Sequence, residues 1–219
     1  MTAYPRSPRL IKGGIVLVDA RSGAVLRVVA LQYNPDTLSR TLAVQSAGGQ
    51  SGDRLEAMRL TGPPAETIKL EAEIDVTDQL EQPDRNPDAP QLGIHPQLAA
   101  LETIIYPGSA ALQAAETLAR AGTLEIAPAE APLTLFVWSK ERVLPVRITD
   151  FAITEEAFDP NLNPIRARVS LGMRVLSSSD LPTGHRGAGL FMTHLQNKEQ
   201  LARRSAGAMP GALRIGAIG

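Results

Sequence analysis

The sequence predicts a mainly β protein with some helix: an antiparallel β-barrel or sandwich carrying a short helical insert. Two stretches alternate between polar and apolar residues without an error. In residues 67–76, Thr67, Lys69, Glu71, Glu73 and Asp75 fall on one side, and Ile68, Leu70, Ala72, Ile74 and Val76 on the other. In residues 165–175, Ile165, Ala167, Val169, Leu171, Met173 and Val175 face one way, and Arg166, Arg168, Ser170 and Arg174 the other. A period of two is that of a half-buried strand. Inside the domain, helical patterns are confined to one block between two blocks of strands, an order that points to strands and helices in separate regions of one fold.

Residues 9–19 read as the first strand, ARSG as a turn, and the run from Ala24 to Tyr33 as the returning strand. The returning strand is apolar on both faces, which predicts cover on both sides. Pro35 ends it, because proline fixes its own φ and pushes Asn34 out of the helical region. LSRTLAVQSA is a further strand, GGQSGD (48–53) a loop, and the first alternation then starts after the corner Gly62-Pro63-Pro64. Residues 79–95 hold three prolines and no periodicity and read as a surface loop. Pro96 suits the first turn of a helix, with Leu98, Leu101 and Ile105 as its buried stripe. A second helix follows over 109–122, with Gly122 as its cap.

Strands resume with LTLFVWS and RVLPVRITDFAI. In the latter, Val146 and Ile148 share one parity, and Phe151 and Ile153 the other. A one-residue slip near Thr149-Asp150 predicts a β-bulge, and Pro145 suggests an edge position. The strand over 165–175 spans roughly 36 Å at about 3.3 Å per residue. The organisation expected is an N-terminal arm (1–8), one β domain (9–178) with its helical insert at about 96–122, and a C-terminal linker, short helix and flexible tail (179–219). Residues from about 182 onward are expected to lie outside the barrel.

Composition narrows the function. With 22 basic and 23 acidic residues among 219, the net charge of −1 points to neither nucleic acid nor an anionic membrane as partner. Aromatic residues make up only 4%, so the core is aliphatic, and the lack of cysteine excludes disulfides and thiolate metal sites. No apolar run reaches the ~18 residues of a membrane span. His95, His185 and His194 lie in a loop, a linker and a tail, none at metal-ligand spacing with a second ligand. Glu155, Glu156 and Asp159 read as a solvated strand end and turn, Ser170 lacks a nucleophile-elbow context, and GGQSGD lacks the Lys-Ser/Thr of a phosphate loop. Trp138 reads as core. No catalytic residue, metal or cofactor is therefore expected. What remains is a pair of charged strand faces, acidic on Glu71, Glu73 and Asp75 beside Lys69, and basic on Arg166, Arg168 and Arg174. These are the candidate subunit-interface or lumenal residues. Their plain reading is a solvated sheet face; the sharper one is that the acidic wall of one copy meets the basic wall of the next.

Four segments in order, LQYNPDTLSR, GPPAETIKLEAEID, LAALETIIYP and LTLFVWSKERVLPVRITDFAITEEAFDPNLNPIRARVSLGMRVL, resemble the tube protein family of contractile injection systems, the phage-tail-like particles. The resemblance covers roughly residues 10–178. It implies a β-barrel of the phage tail tube type, assembled with six-fold symmetry as an adaptor ring between the inner tube and the spike and baseplate. It thereby implies partners: further copies of the chain, the spike or hub protein, tube proteins and baseplate components. It also implies cytoplasmic synthesis and assembly into a particle, membrane-anchored or released, with no direct membrane insertion. Some members continue into a LysM-type module; the residues from Pro182 do not follow that pattern, so no peptidoglycan-binding role is carried over. The alternatives weighed are a repeating inner-tube subunit and, from another class, a small-molecule-binding β-barrel with Phe136 and Trp138 lining its cavity.

Overall fold

In a computed structural model, described for residues 11–46, 59–122 and 131–205, seven strands form one antiparallel sheet. They are β1 (Gly14–Val18), β2 (Val25–Ala30), β3 (Leu38–Ala43), β4 (Ala65–Asp75), β5 (Leu133–Ser139), β6 (Arg142–Phe158) and β7 (Pro164–Val175). Their order across the sheet is β2-β1-β5-β6-β7-β4-β3. The helices are α1 (Thr77–Leu80), α2 (Ala89–Leu92), α3 (His95–Glu102), α4 (Ser109–Arg120) and α5 (Arg186–Arg204), with a 3-10 turn at Pro83–Arg85. The protein is thus mainly β with a few helices. The sheet is open, with β2 and β3 as its two edges.

Alternation positions the long walls as the sequence predicts. Ile68, Leu70, Ala72 and Ile74 of β4 and Ala167, Val169, Leu171 and Met173 of β7 are buried in the main core, with Phe136, Leu144 and Val146 from β5 and β6. A shift of one residue in either strand would expose its whole apolar row, so register is strongly specified. The predicted bulge is present: Ile148 pairs with Met173 and Asp150 with Gly172, leaving Thr149 as the extra residue. Gly172 is required there. A Cβ on it would lie 2.6 Å from Asp150 Oδ2 and 2.9 Å from Asp150 Cβ.

Two side-chain amides stitch the corner after β2. Gln32 Nε2 donates to the Asp75 carbonyl at 2.6 Å, and its Oε1 accepts from the Asp75 N–H at 3.0 Å. It bridges the gap between the β2 end of the sheet and β4 without a ladder. Asn34 does the same for the start of the chain, donating to the Ile11 carbonyl and accepting from the Gly13 N–H, both at 2.9 Å. Each side chain replaces two main-chain bonds that an open sheet leaves unmade.

Several expectations are corrected. β2 is not covered on both faces: among the described residues it is an edge strand flanked only by β1, and Val25, Leu26 and Val28 are more than half exposed. Pro145 is not on an edge strand, since β6 lies between β5 and β7. It is tolerated because β7 pairs with β6 only from Val146 onward. The Pro145 carbonyl accepts from Leu176 N on that side, so the missing N–H also points past the ladder's end. The 79–95 segment is not bare loop; it carries α1, the 3-10 turn and α2, and it buries Ala89 and Ile94. In the helical insert Leu98 and Leu101 are buried as expected, but Ile105 lies beyond α3 and is exposed. Gly122, at φ +84°, follows the end of α4 as predicted.

The largest correction concerns the residues from 182. α5 packs against β6, and Phe191 is part of the main core. Gly187, Phe191 and His194 are buried at helical spacing, and Leu190 packs on a second cluster built from Val18, Leu133 and Leu135. His185 caps the helix, its Nδ1 accepting from Gly187 N at 3.0 Å. The expected arm 1–8, the 48–53 loop and the tail beyond residue 205 lie outside the described residues.

Candidate functional site

The charged faces come together on one surface. β4 and β7 are direct neighbours, and their outward residues pair as Asp75 with Arg166, Glu73 with Arg168, Glu71 with Ser170, Lys69 with Gly172 and Thr67 with Arg174. β6 extends the surface, setting Glu156 opposite Arg166, Thr154 opposite Arg168 and Arg147 opposite Arg174. On the other side Ser39 and Thr41 of β3 lie opposite Lys69 and Thr67. The result is a four-stranded polar wall, β3-β4-β7-β6, backed by the aliphatic core.

Within one chain the acidic and basic rows meet through Arg166, while Arg168 and Arg174 find carboxylates outside the acidic row. Arg166 Nε lies 2.7 Å from Asp75 Oδ2 and 3.5 Å from Glu73 Oε1. Arg168 reaches Glu156 at 3.4 Å. Arg174 is held by Asp180 at 2.6 Å, below the end of β7. Among the described residues, Lys69 and Glu71 make no ion pair. The two rows expected to meet between copies thus lie side by side within one chain. Strand order makes these rows cross-strand partners, and cross-strand opposite charges attract where they stand.

Electrostatics follow this geometry. Burial opposes ionisation of Asp75, but hydrogen bonds from Thr77 and from the Arg166 guanidinium outweigh it and hold the carboxyl below its usual value. Arg166 is in turn held more firmly protonated, first by Asp75. Asp180 behaves like Asp75: burial opposes its charge, and the Ser177 N–H and hydroxyl, then Arg174 and Arg147, more than offset that.

Away from the wall, the free edges carry apolar side chains. Beside β2, Val25, Leu26 and Val28 are exposed, and Ile105, Tyr106 and Leu112 are exposed near them around a hollow of about 750 Å³. Arg27 of β2 bonds the Ala100 carbonyl and the Thr103 hydroxyl of the insert. Near the β3 edge, Leu42 and Val44 are exposed. α4 buries none of its residues, and Leu112 and Leu118 on it are about half exposed.

The residues considered for chemistry are scattered. His95 begins α3 and is exposed, His185 caps α5, and His194 is buried under α5. Asp159 organises the β6–β7 turn, accepting from Asn161 N and Asn163 N. Phe136 is buried and stacks on Trp138 with ring centroids 5.8 Å apart, so both fill the core. Among the described residues no group of three His, Asp or Glu side chains is placed to hold a metal ion, and no helix is long and apolar enough to cross a membrane.

One cluster escapes sequence reasoning. Glu66, only 4% exposed, is held by Arg40 at 2.5 Å and by Lys198 of α5 at 3.3 Å. The signal was parity: Glu66 precedes Ile68 and Leu70 on their own side of β4, so it points inward. No protein-family model matches the chain, and no curated protein matches it.

Proposed function

We propose that this chain is a structural subunit of a contractile injection system, six copies forming a ring that joins the inner tube to the spike and baseplate hub. The observation that carries this reading is the open sheet itself. It ends in two unlike edges, β2 and β3, each bearing exposed apolar side chains. Monomeric proteins rarely leave strand edges and apolar patches together without protection. A contact between unlike surfaces is heterologous, and it closes into a ring when the rotation between copies divides the circle. The six-fold number, the tail-tube type of barrel and the neighbours come from the resemblance of residues 10–178 to the tube protein family.

On this reading the charged wall is lumenal. Its three arginines are paired within the chain, which leaves them little need of a neighbour, and exposed pairs contribute only about 0–1 kcal/mol each. The seam lies at the apolar edges. Sedimentation across a concentration series tests this. The chain should shift from monomer to a ring-sized species, and Val28→Lys on the β2 edge should abolish the shift while leaving the monomer folded. Replacing Arg166 and Arg168 by Gln should leave it in place. A chain that stays monomeric throughout refutes the proposal; loss of assembly on the Arg substitutions but not on Val28→Lys moves the seam to the wall.

A further inference from the structure

We propose that α5 is an acid-released latch: protonation of His194, buried beside Glu66, Arg40 and Lys198, lifts the C-terminal half of the helix from the sheet. The inference stands on the docking of one helix within one chain and is independent of the ring.

His194 is 6% exposed, and neither ring nitrogen has a hydrogen-bond partner among the described residues. The Glu141 main chain faces the ring without hydrogen-bond geometry. A buried imidazole in that state is tolerable only when neutral. The charges around it come from every element packed there. β4 supplies Glu66, β3 supplies Arg40 and α5 itself supplies Lys198 one turn on; Arg142, at the start of β6, faces the same Glu66 and Arg40. Both Glu66 oxygens are already engaged, Oε1 by Arg40 and Oε2 by Lys198. Three cations thus surround one carboxylate, and a fourth positive charge on His194 would find no free counter-charge.

Burial, and next the Lys198 ammonium, hold the imidazole below its ordinary value, with Glu66 opposing them. A histidine depressed in the folded chain binds its proton more readily once released. The docked state is therefore fully favoured above the ordinary range, about 6.5, and weakens as pH falls below it. Each unit of separation between released and docked values changes the ratio of docked to released helix by up to about tenfold. The N-terminal half of α5 stays pinned. Phe191 sits in the core, and a Cβ on Gly187 would lie 2.6 Å from Leu181 Cδ1, so backbone and side chain pack closely there.

The test uses the full chain, whose lack of cysteine allows two spin labels to be placed freely. Labels on Lys140→Cys and Gln200→Cys, both exposed, report the distance from the β5–β6 turn to the end of α5. At about pH 7.5 a single narrow distance is expected. As pH falls toward about 5, across the ordinary His range, a longer and broader population should grow while the far-ultraviolet circular dichroism of the sheet persists. His194→Gln should keep the narrow distance throughout. A wild-type distance unchanged over that range overturns the proposal, as does equal broadening with His194→Gln. If His194→Gln disturbs docking at neutral pH, the NMR titration of His194 in the otherwise unsubstituted chain decides. A midpoint below about 6.5 accompanied by loss of α5 contacts supports the latch; one at or above that value overturns it.

Discussion

Phe191→Ala should destabilise the whole β domain, although residue 191 lies beyond the last strand. Phe191 is 7% exposed and belongs to the main core cluster. Truncation to alanine removes roughly 120 Å² of buried apolar surface, which at ~25 cal/mol per Å² is about 3 kcal/mol. Cavity terms carry Phe→Ala losses in protein cores to about 3–5 kcal/mol. For a chain of this length each kcal/mol lowers the melting temperature by about 2–4 °C, so a fall of at least ~6 °C is expected. Urea unfolding followed by the fluorescence of Trp138, the only tryptophan, should show the midpoint reduced with the slope unchanged. Met192→Ala, on the exposed side of the same helix at 42% exposure, is the control and should stay within about 1 kcal/mol. A Phe191→Ala loss no larger than that of Met192→Ala would refute the assignment of α5 to the core.

Gln32→Ala removes both bonds that bridge β2's end to Asp75 and should cost about 1–3 kcal/mol, with amide exchange at Asp75 accelerated more than at Ile68; equal exchange at both would contradict the stitch. Gly172→Ala should cost about 1–3 kcal/mol through overpacking against Asp150, and Asp150→Gly in the same chain should recover part of it in a double-mutant cycle; purely additive losses would show that the two do not touch. The Asp75 carboxyl is depressed in the folded chain. Its contribution to stability is therefore present above the ordinary carboxyl value of about 4 and lost as pH falls below it. Asp75→Asn should flatten the acid limb of the stability curve, and an unchanged limb would contradict the Thr77 and Arg166 bonding.

The long walls were legible because strict alternation over ten or more residues admits one buried face, and a change of parity admits one bulge. Edges were not. The residues of β2 are apolar on both faces, and composition alone does not reveal that only β1 stands beside them. The signs of the charged rows were legible, yet their meeting within one chain depends on β4 pairing with β7 across the helical insert. A short helix after residue 179 was legible, but its docking was not, because Gly187 and Gly189 weaken its pattern, although Gly187, Phe191 and His194 carry the i, i+4, i+7 spacing of a docked face. Glu66 shows the same limit. Its inward parity was visible in β4, but its partners Arg40 and Lys198 are distant in sequence and come together only through the fold.

The central claim is that the chain closes into a six-fold ring through the edges of its open sheet. Cryo-electron microscopy of the purified chain, at a concentration where sedimentation shows self-association, tests it most directly. The account predicts ring-shaped class averages with six copies, a lumen lined by the β3-β4-β7-β6 wall and Arg166 facing the channel. Open filaments, two-fold dimers that bury the charged wall, or rings with the β2 and β3 edges in solvent would contradict it.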